Sequence, residues 1–483
     1  MNNFEVNLES AALRKSIPEE VWIRFLTGQR WFAGKGRTIA SVHPVASCPV
    51  DSALAIVILR VGYPSEFDDY VIPLLVGAGE ESLNVVAWVN GRPLLDALSY
   101  SEGWRRLMGV FAQSTIPGHK LALQTEIVGG RLPHSESVHL GPADQSNSWA
   151  VVGGLFVKAY RRLMTGENLD VSVGRFLTHR KTPNTPVLRG VLVGKGAWGD
   201  ATLLSVQQAV VNQGTGWAHA CEQVAQVARN EFISYEPWTL LGHRLAKLHQ
   251  VLASEGEDAP GTLKLTTPDL DAVAREAQAL ARTALVELGT AVLAPDDAAH
   301  AVELKSKTAR LMNRLKAPRL PVDSCHRQRI HGDLHLGQVL WDGSDFTIID
   351  FEGEPARAYE ERLRKHSVAK DLAGMLRSFD YAARAGLPDD AGAEVRQHAR
   401  IWRNLARNAF RQGYEDAIGA EPFLPSDRDL REALIALYEL EKAFYELHYE
   451  LGNRPDWVGI PMAGLLDLAS DAPVRRRASR PKT

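Results

Sequence analysis

The sequence is poor in cysteine, in long apolar stretches and in net charge. Its 483 residues include three cysteines, Cys48, Cys221 and Cys325, which lie far apart. That spacing fits neither a disulfide framework nor a zinc finger, so we expect ordinary thiols in a reducing compartment. A helix that spans a membrane needs about 20 apolar residues, whereas the best apolar run, residues 53–59, is far shorter. These deficits predict a cytoplasmic protein that has no membrane span.

The charge balance excludes a further class of protein. The chain has 55 basic and 58 acidic side chains, for a formal charge of −3, whereas a dedicated nucleic-acid binder usually carries a strong basic excess. The first residues place no apolar core behind a basic start, which argues against a secretory signal. The hydrophobic share of 45% suffices for a buried core, and the length suggests about two to four domains.

Hydrophobic patterning separates a strand-rich part of the chain from a helix-rich part. In the first part the pattern predicts helices at residues 18–33 and 92–116, and strands at 53–61, 68–76 and 83–89. A second block follows in the order strand, strand, helix, strand, strand, which resembles the small lobe of a kinase-like fold. Its segments are residues 119–130, 148–160, 170–179, 185–194 and 201–211.

From about residue 216 the apolar period is 3.6, which predicts helices. The clearest are residues 239–255, 270–293, 300–315 and 430–451. The main exception is a strand hairpin that turns at Asp342 and Gly343.

Two short patterns imitate known sites. Residues 194–199 fit G-x-G-x-x-G, but a dinucleotide fingerprint must open a helix and a strand follows here. We therefore predict a glycine-rich hairpin turn. His331, Asp333 and His335 invite a zinc interpretation, but no cysteine or further carboxylate nearby completes a zinc set. We expect no zinc there.

The strongest chemical signal is a pair of neighbouring motifs. Residues 330–338 read I-H-G-D-L-H-L-G-Q, and residues 348–353 read I-I-D-F-E-G. A kinase catalytic loop has the pattern H-x-D-x-x-x-x-N, followed by D-F-G on the next hairpin. Asp333 supplies the carboxylate that orients or deprotonates an acceptor hydroxyl, and Gln338 and Asp350 offer the hard oxygen ligands that Mg²⁺ prefers. Together these motifs predict phosphoryl transfer.

A kinase also needs a cation on the phosphates of ATP. Lys158 lies within an apolar strand, where a lysine costs desolvation unless it is paired. We predict that it binds these phosphates. The turn one strand upstream contains Gln145, Ser146, Asn147 and Ser148, whose small donors and backbone amides suit an anion nest.

These motifs resemble those of bacterial maltokinases, within the aminoglycoside-phosphotransferase and eukaryotic-kinase-like superfamily. The resemblance extends over residues 29–39, 145–148, 212–217, 331–340, 348–357, 371–383 and 439–457. It implies an α+β, bilobal protein-kinase-like fold with an N-terminal cap subdomain, a β-rich small lobe that binds ATP, and a mainly helical C-lobe that carries catalysis and the acceptor site. The corresponding ranges are 1–100, 101–213 and 214–470, followed by a flexible basic tail at 471–483.

The resemblance also implies a reaction. The γ-phosphoryl group of ATP would pass to the anomeric hydroxyl of maltose, giving maltose 1-phosphate for α-glucan (glycogen) synthesis. Asp333 would be the base, Lys158 would hold the α and β phosphates, Glu352 would lie beside the Mg²⁺ ligands, and Gln207 would mark the adenine hinge. Trehalose synthase is a further expected partner.

The sequence departs from the family pattern at two places. The helix glutamate that pairs with the strand lysine in the family is replaced by Ser172, so we expect Glu167 or Asp170 to substitute. At the hinge, residues 208–211 read Q-A-V-V, where the family has an acidic residue, an aromatic residue and a proline.

The acceptor site is predicted on the helix at residues 430–451 and just after it. Tyr445, Glu446, Tyr449 and Trp457 combine aromatic faces with polar groups, and sugars bind such surfaces by stacking and by bidentate hydrogen bonds. We predict that these four residues bind the acceptor. The competing interpretation is a helix whose aromatic residues pack into the core.

Two other functions stay open at this point. The first keeps the chemistry and changes the acceptor to glucosamine or an aminoglycoside. The second is a degenerate kinase that acts as a binding partner of trehalose synthase; Ser172 supports it, whereas Asp333, Gln338 and Asp350 argue against it.

Overall fold

The chain divides into two compact units. The computed structural model describes all residues except 1–5, 78–83, 134, 143–145, 256–258, 320–324, 355–356, 389 and 471–483. Unit 1 comprises Met1–Thr178 and Pro186–Val210, and unit 2 comprises His179–Thr185 and Val211–Thr483. The predicted basic tail lies outside the described residues.

The first sheet of unit 1 has five antiparallel strands in the order β1-β2-β3-β5-β4. Its second strand is apolar over almost its whole length and is buried, as continuous β-branched runs predict. Helices α1 and α2 precede this sheet, and Trp22 and Phe25 of α2 belong to the buried cluster that contains strand residues. The elements are α1 Ser10–Ser16, α2 Glu19–Gly28, β1 Ser41–Pro49, β2 Leu54–Gly62, β3 Phe67–Val76, β4 Val85–Val89 and β5 Arg92–Asp96.

The second sheet of unit 1 has seven strands in the order β6-β7-β11-β12-β10-β9-β8. A buried apolar cluster contains residues from both sheets and from α3, including Ile56, Trp104 and Val157. The elements are α3 Ser101–Gly109, β6 Thr115–Ile116, β7 Leu121–Ile127, β8 Val138–Leu140, β9 Ser148–Val152, β10 Leu155–Ala159, α4 Leu169–His179, β11 Leu188–Gly196 and β12 Gly199–Gln208.

Two-residue turns correct the sequence prediction in two places. Residues 92–116 were expected to be helical, but Arg92–Asp96 is strand β5 and the helix begins at Ser101. Asn90 and Gly91 have φ values of 51° and 74°, the left-handed geometry that a tight hairpin requires. Residues 148–160 were expected to be one strand, but Gly153 and Gly154, at φ 58° and 79°, turn the chain between β9 and β10.

Unit 2 is mainly helical. Its two short sheets pair β13 with β14 and β15 with β16, and the latter is the hairpin predicted at residues 342–343. The predicted helix 300–315 is interrupted at Lys307. The elements are α5 Gly216–Ala228, α6 Glu236–Leu252, β13 Thr262–Lys264, α7 Thr267–Thr290, α8 Pro295–Ser306, α9 Thr308–Arg314, β14 His326–Gln328, β15 Val339–Trp341, β16 Phe346–Ile348, α10 Tyr359–Arg362, α11 Ala369–Ala385, α12 Ala393–Ile418, α13 Arg428–Asn453 and α14 Gly459–Ser470.

The predicted fold class is confirmed, because a sheet-rich N-terminal region precedes a helical C-terminal region. The glycine-rich segment at residues 194–199 is the β11–β12 hairpin turn, also as predicted. Within the described residues, no helix is both long enough and apolar enough to cross a bilayer.

Candidate active site

A buried carboxylate holds the loop that carries the H-G-D motif. Asp371, near the start of α11, is 1% exposed. Its two oxygens accept the backbone N–H groups of His331 at 2.8 Å and Gly332 at 2.9 Å, and His249 Nε2 lies 3.1 Å away. Burial opposes the charge of Asp371, but the hydrogen bond from His249 and the other polar contacts outweigh it and lower the pKa of the carboxyl.

His331 ties this loop to the end of β16. Its Nε2 donates to the carbonyl of Ile349 at 2.9 Å, and its Nδ1 accepts the N–H of Asp333 at 3.4 Å. Both ring nitrogens are therefore engaged by protein atoms, which supports the prediction that His331 does not bind zinc. Gly332 has φ +88°, a conformation that favours glycine.

The predicted base, Asp333, lies beside a lysine of α13. Lys442 Nζ is 3.6 Å from Asp333 Oδ1, and the two side chains are 29% and 20% exposed. Burial works against the Lys442 ammonium, but the carboxylates of Asp333, Glu354 and Glu446 outweigh it and raise the pKa of Lys442. Asp333 thus faces a fixed positive charge and retains access to solvent.

Asp333 lines a cavity of about 700 Å³ within unit 2. The same cavity is lined by all four residues that the sequence assigns to the acceptor, so the fold brings them together with the predicted base. The lining residues are Trp217, Asp333, His335, Gly337, Glu354, Gly374, Ser378, Tyr381, Lys442, Tyr445, Glu446, Tyr449, Glu450, Arg454 and Trp457. We call it the acceptor cavity.

Two stacked aromatic pairs stand in the wall of the acceptor cavity. Tyr445 and Tyr449 stack with ring centroids 6.4 Å apart, one helical turn from each other on α13. Tyr381 of α11 stacks on Trp457 at 6.3 Å. The Lys442 ammonium lies 4.8 Å from the Tyr445 ring centroid, so the first pair is the one beside Asp333.

Each further carboxylate of the acceptor cavity is paired with an arginine. Glu446 accepts from Nη2 of the buried Arg377 at 2.7 Å. Glu450 pairs with Arg454 at 2.6 Å. Burial raises the pKa of Glu446, and Arg377 offsets this only in part.

Glu354 is the fourth carboxylate of the acceptor cavity, and it pairs with Arg357 at 2.6 Å. Burial and the neighbouring Glu354 raise the pKa of Tyr445, so the phenol keeps its proton. The cavity therefore presents paired charges, a phenol and flat aromatic faces.

The predicted Mg²⁺ ligands lie at and just after the β15–β16 hairpin. Gln338 Nε2 donates to Asp350 Oδ2 at 3.0 Å. Carboxylate oxygens of Asp350 and Glu352 lie within 4.8 Å of each other. This set of hard oxygens fits the ligand preference of Mg²⁺. Asp350 has φ +67°, which costs a non-glycine residue roughly 1–2 kcal/mol; such strain clusters at functional sites.

In unit 1, Lys158 lies on β10 with only 8% of its surface exposed. Its register partners are Trp149 on β9 and Ser205 on β12. Gln207, the residue predicted at the hinge, lies near the end of β12, and its Nε2 donates to Asp170 Oδ2 at 3.4 Å.

The helix after the lysine strand, α4, carries the residues that were expected to replace the family glutamate. Asp170 is 2% exposed and accepts from the hydroxyl of Tyr160 at 3.3 Å. Glu167, just before the helix, accepts from Arg175 at 2.5 Å. The Ser172 hydroxyl donates to the carbonyl of Leu169 at 3.2 Å. Because Asp170 is buried and Glu167 is bound by Arg175, we continue to expect Asp170 as the substitute.

The predicted phosphate turn is described only in part. Gln145 lies outside the described residues. Ser146 is exposed and Asn147 is half-buried. The Ser148 hydroxyl accepts from Arg161 Nε at 2.8 Å. Ser148 therefore takes part in a structural hydrogen bond at the start of β9.

Sequence reasoning missed three residues that shape the site. Asp371 holds the catalytic loop, and Glu354 and Tyr381 line the acceptor cavity. Asp371 and Tyr381 belong to the segment 371–383 that carries the family resemblance, and Glu354 follows the second motif directly. Their position in or next to segments that resemble the family was the only hint in the sequence. Their contacts could not be predicted from it, because those contacts depend on how the helices pack.

Comparison with known proteins identifies two domains. Residues 25–99 match the maltokinase N-terminal cap domain. Residues 222–415 match the phosphotransferase enzyme family. The predicted resemblance is therefore confirmed.

Two curated relatives resemble this chain over part of their length. The chain is 27% identical over 259 residues to a glucosamine kinase of Streptacidiphilus jiangxiensis, covering 52% of this chain and 54% of the relative. It is 31% identical over 140 residues to a glucosamine kinase of Mycolicibacterium smegmatis, covering 28% of this chain and 33% of the relative. The chain thus spans about half of the first relative and a third of the second.

A solved structure extends the likeness in fold. A glucosamine kinase in complex with glucosamine, ADP and inorganic phosphate has a TM-score of 0.65 and 19% identity, with 92% of this chain and 99% of that chain covered. At this identity the likeness concerns the fold alone. The chain thus joins a domain that matches the maltokinase N-terminal cap domain to one that matches the phosphotransferase enzyme family.

Proposed function

We propose that this phosphotransferase is an ATP- and Mg²⁺-dependent sugar kinase whose acceptor is the anomeric hydroxyl of maltose. The observation that carries the proposal is the acceptor cavity, which is lined by Asp333 and by two aromatic pairs. The product would be maltose 1-phosphate, a precursor for α-glucan synthesis. A trehalose synthase partner finds no support in the comparisons and forms no part of the proposed function.

In the proposed reaction Asp333 accepts the proton of the sugar hydroxyl. The hydroxyl oxygen forms a bond to the γ-phosphorus, and the bond between that phosphorus and the bridging oxygen of ADP breaks. Lys442, 3.6 Å from Asp333, positions the carboxylate. Because phosphoryl transfer has a loose transition state, positioning and charge neutralisation supply most of the catalysis.

Each unit contributes a separate part of the proposed ATP chemistry. Lys158 in unit 1, positioned by Asp170 on the following helix, would bind phosphate oxygens, and the Gln207 region would bind the adenine base. In unit 2, Gln338, Asp350 and Glu352 would hold Mg²⁺. The metal ion, when bound, neutralises the charge that develops on the β and γ phosphates.

The aromatic pairs support a disaccharide acceptor. Tyr445 and Tyr449 lie on the Asp333 side of the cavity, and Tyr381 and Trp457 form a second platform. An apolar sugar face stacks on one such platform, so two platforms suit two pyranose rings. The ring nearest Asp333 would present its anomeric hydroxyl.

The charges of the cavity favour a neutral sugar over an amine. To bind an ammonium group, the cavity needs a carboxylate that is not already paired with a cation of the protein. If a paired carboxylate bound the amine instead, its former cationic partner would be left with an uncompensated buried charge. Here Asp333 faces Lys442, Glu354 faces Arg357, and the two glutamates of α13 face their own arginines.

Glucosamine is the second candidate acceptor. It is favoured by the names of both relatives and of the solved structure of similar fold. Glu446 would bind the amine through Oε1, because Arg377 Nε and Nη2 both donate to Oε2, at 2.8 and 2.7 Å.

A panel of acceptors separates the two candidates. ADP release is measured with Mg-ATP and maltose, glucose, glucosamine or kanamycin, and the position of the phosphate is read by ³¹P and ¹³C NMR. The proposal expects the highest kcat/KM for maltose, with phosphate on the anomeric carbon. A higher kcat/KM for glucosamine would replace the maltose assignment, and turnover on none of these acceptors would contradict the kinase function.

Removal of the second platform tests the disaccharide argument. Trp457→Ala should raise the KM for maltose roughly tenfold, since an aromatic platform contributes about 0.5–1.5 kcal/mol beyond the area it buries. The KM for glucose should change little. Trp88→Ala is a matched control, because Trp88 is 55% exposed on β4. An equal change of KM for both sugars would show that Trp457 does not bind the second ring.

A further inference from the structure

Unit 2 contains a second cavity, apart from the acceptor cavity. It measures about 130 Å³ and is bordered by α7, β14, α13 and the segment 357–370. Among the described lining residues, none borders both this cavity and the acceptor cavity. We call it the basic cavity, after the five cationic side chains that line it, which are Arg327, Arg357, Arg364, Lys365 and Lys370.

Most carboxylates of the basic cavity are already occupied. Arg357 binds Glu361 and, at 3.2 Å, Glu441. Asp269 caps α7 and pairs with Arg327 at 3.2 Å. These pairs neutralise two of the five cations, Arg327 and Arg357.

The other three cations have no such partner. Throughout the part of the chain that the structure describes, no carboxylate forms an ion pair with Arg364, Lys365 or Lys370. Glu276 is the remaining acidic residue in the lining, and it is exposed.

Two neighbouring groups have pKa values that are shifted by burial first and by nearby positive charges second. Burial, followed by Lys370 and Arg357, lowers the pKa of His366 to about 3. Burial, followed by Arg329 and Arg327, lowers the pKa of Lys365. Both shifts have the direction that a positive potential inside the cavity produces.

We propose that the basic cavity binds a small phosphate-bearing anion, held by Lys365, Lys370 and Arg364. Lysine and arginine bind phosphate oxygens through charge-assisted hydrogen bonds. A water molecule needs about 10–15 Å³ of such space, so a cavity of 130 Å³ has room for a phosphate group and for a few waters around it. The argument for this site does not use the proposed catalytic function, although Arg357 and Lys370 also line a cavity of about 30 Å³ that Asp333 borders.

Calorimetric titration of the full chain tests the site directly. Inorganic phosphate and methyl phosphate are the two probes, in a phosphate-free, low-salt buffer with EDTA and without nucleotide. The variants are Lys365→Gln/Lys370→Gln and, as a charge-matched control, Lys305→Gln/Lys316→Gln, whose lysines are exposed elsewhere in unit 2. Circular dichroism checks that each variant is folded, and Lys365→Arg/Lys370→Arg serves as a charge-retaining variant.

The wild type, the control and the arginine variant should bind at least one probe with similar Kd. The Lys365→Gln/Lys370→Gln protein should bind it at least about tenfold more weakly, since each charge-assisted hydrogen bond contributes more than the 1.4 kcal/mol that corresponds to tenfold. Tighter binding of methyl phosphate would identify a phosphate monoester, and tighter binding of inorganic phosphate would identify the free ion. Absence of binding by the wild type, or equal binding by all variants, would overturn the proposal.

Discussion

Asp371→Asn removes the charge that holds the catalytic loop and leaves the shape of the side chain almost unchanged. The native carboxylate accepts the N–H groups of His331 and Gly332 on separate oxygens. Asparagine keeps one acceptor and turns an NH₂ group toward the second N–H. A hydrogen bond to a charged group contributes about 1.5–3 kcal/mol, and an unsatisfied buried donor costs about 1–3 kcal/mol. We expect the free energy of unfolding to fall by about 3 kcal/mol.

The same substitution should lower turnover. Asp333 lies two residues beyond His331, so release of the loop displaces the base. A misplacement of about 1 Å can cost roughly a hundredfold in rate, and we expect a loss of this size in kcat. Urea unfolding followed by circular dichroism and steady-state ADP release measure the two effects. Asp467→Asn is the control, since Asp467 is 56% exposed and a surface ion pair contributes about 0–1 kcal/mol.

The pH dependence of Asp371→Asn gives a second readout. The pKa of Asp371 in the folded chain lies below its ordinary value of 3.8. The ionised Asp371 carboxylate therefore stabilises the folded chain fully above about pH 3.8, and this contribution is lost as pH falls through the folded pKa. The stability gap between wild type and variant should narrow below that pH. Wild-type stability and turnover in Asp371→Asn at neutral pH would refute the reasoning.

Three further substitutions test other parts of the account. Asp170→Asn should raise the KM for ATP several-fold in steady-state kinetics, whereas Glu167→Gln should not; equal effects would remove Asp170 as the partner of the strand lysine. Tyr381→Phe, which loses the hydrogen bond to Glu450 at 3.1 Å, should raise the KM for maltose several-fold; an unchanged KM would mean that Glu450 is held without it. Because the folded pKa of His366 is about 3, the free energy of unfolding of the wild type should decline as pH falls from about 6.5 toward 3, by at most about 1.4 kcal/mol per pH unit. In His366→Gln, the free energy of unfolding measured in urea should depend less on pH. An identical slope in the two proteins would contradict this.

The catalytic motif could be predicted because its parts are close in sequence. Spacing alone placed Gln338 and Asp350 on the two sides of one hairpin, and the Gln338 amide donates to Asp350. The residues proposed to bind the acceptor could be grouped from the sequence for a similar reason. Tyr445 and Tyr449 are four residues apart on one helix, so they share a face.

Other features depend on the fold. Asp371 reaches the loop from a helix that lies 40 residues farther along the chain, and Arg377 reaches Glu446 across 69 residues. No local pattern encodes such contacts, because helix packing creates them. The β4–β5 hairpin is different, since Asn90-Gly91 is a strong local hairpin signal that the apolar periodicity of residues 92–116 obscured.

Replacement of the predicted base tests the central claim most directly. Turnover of Mg-ATP and maltose is compared between the wild type and Asp333→Asn, with ATP affinity and unfolding measured in parallel. The account predicts a fall in kcat on the order of 10²–10⁴, the range that general-base catalysis contributes, with ATP affinity and stability little changed. Retention of most of the wild-type kcat would contradict the assignment of Asp333 as the base.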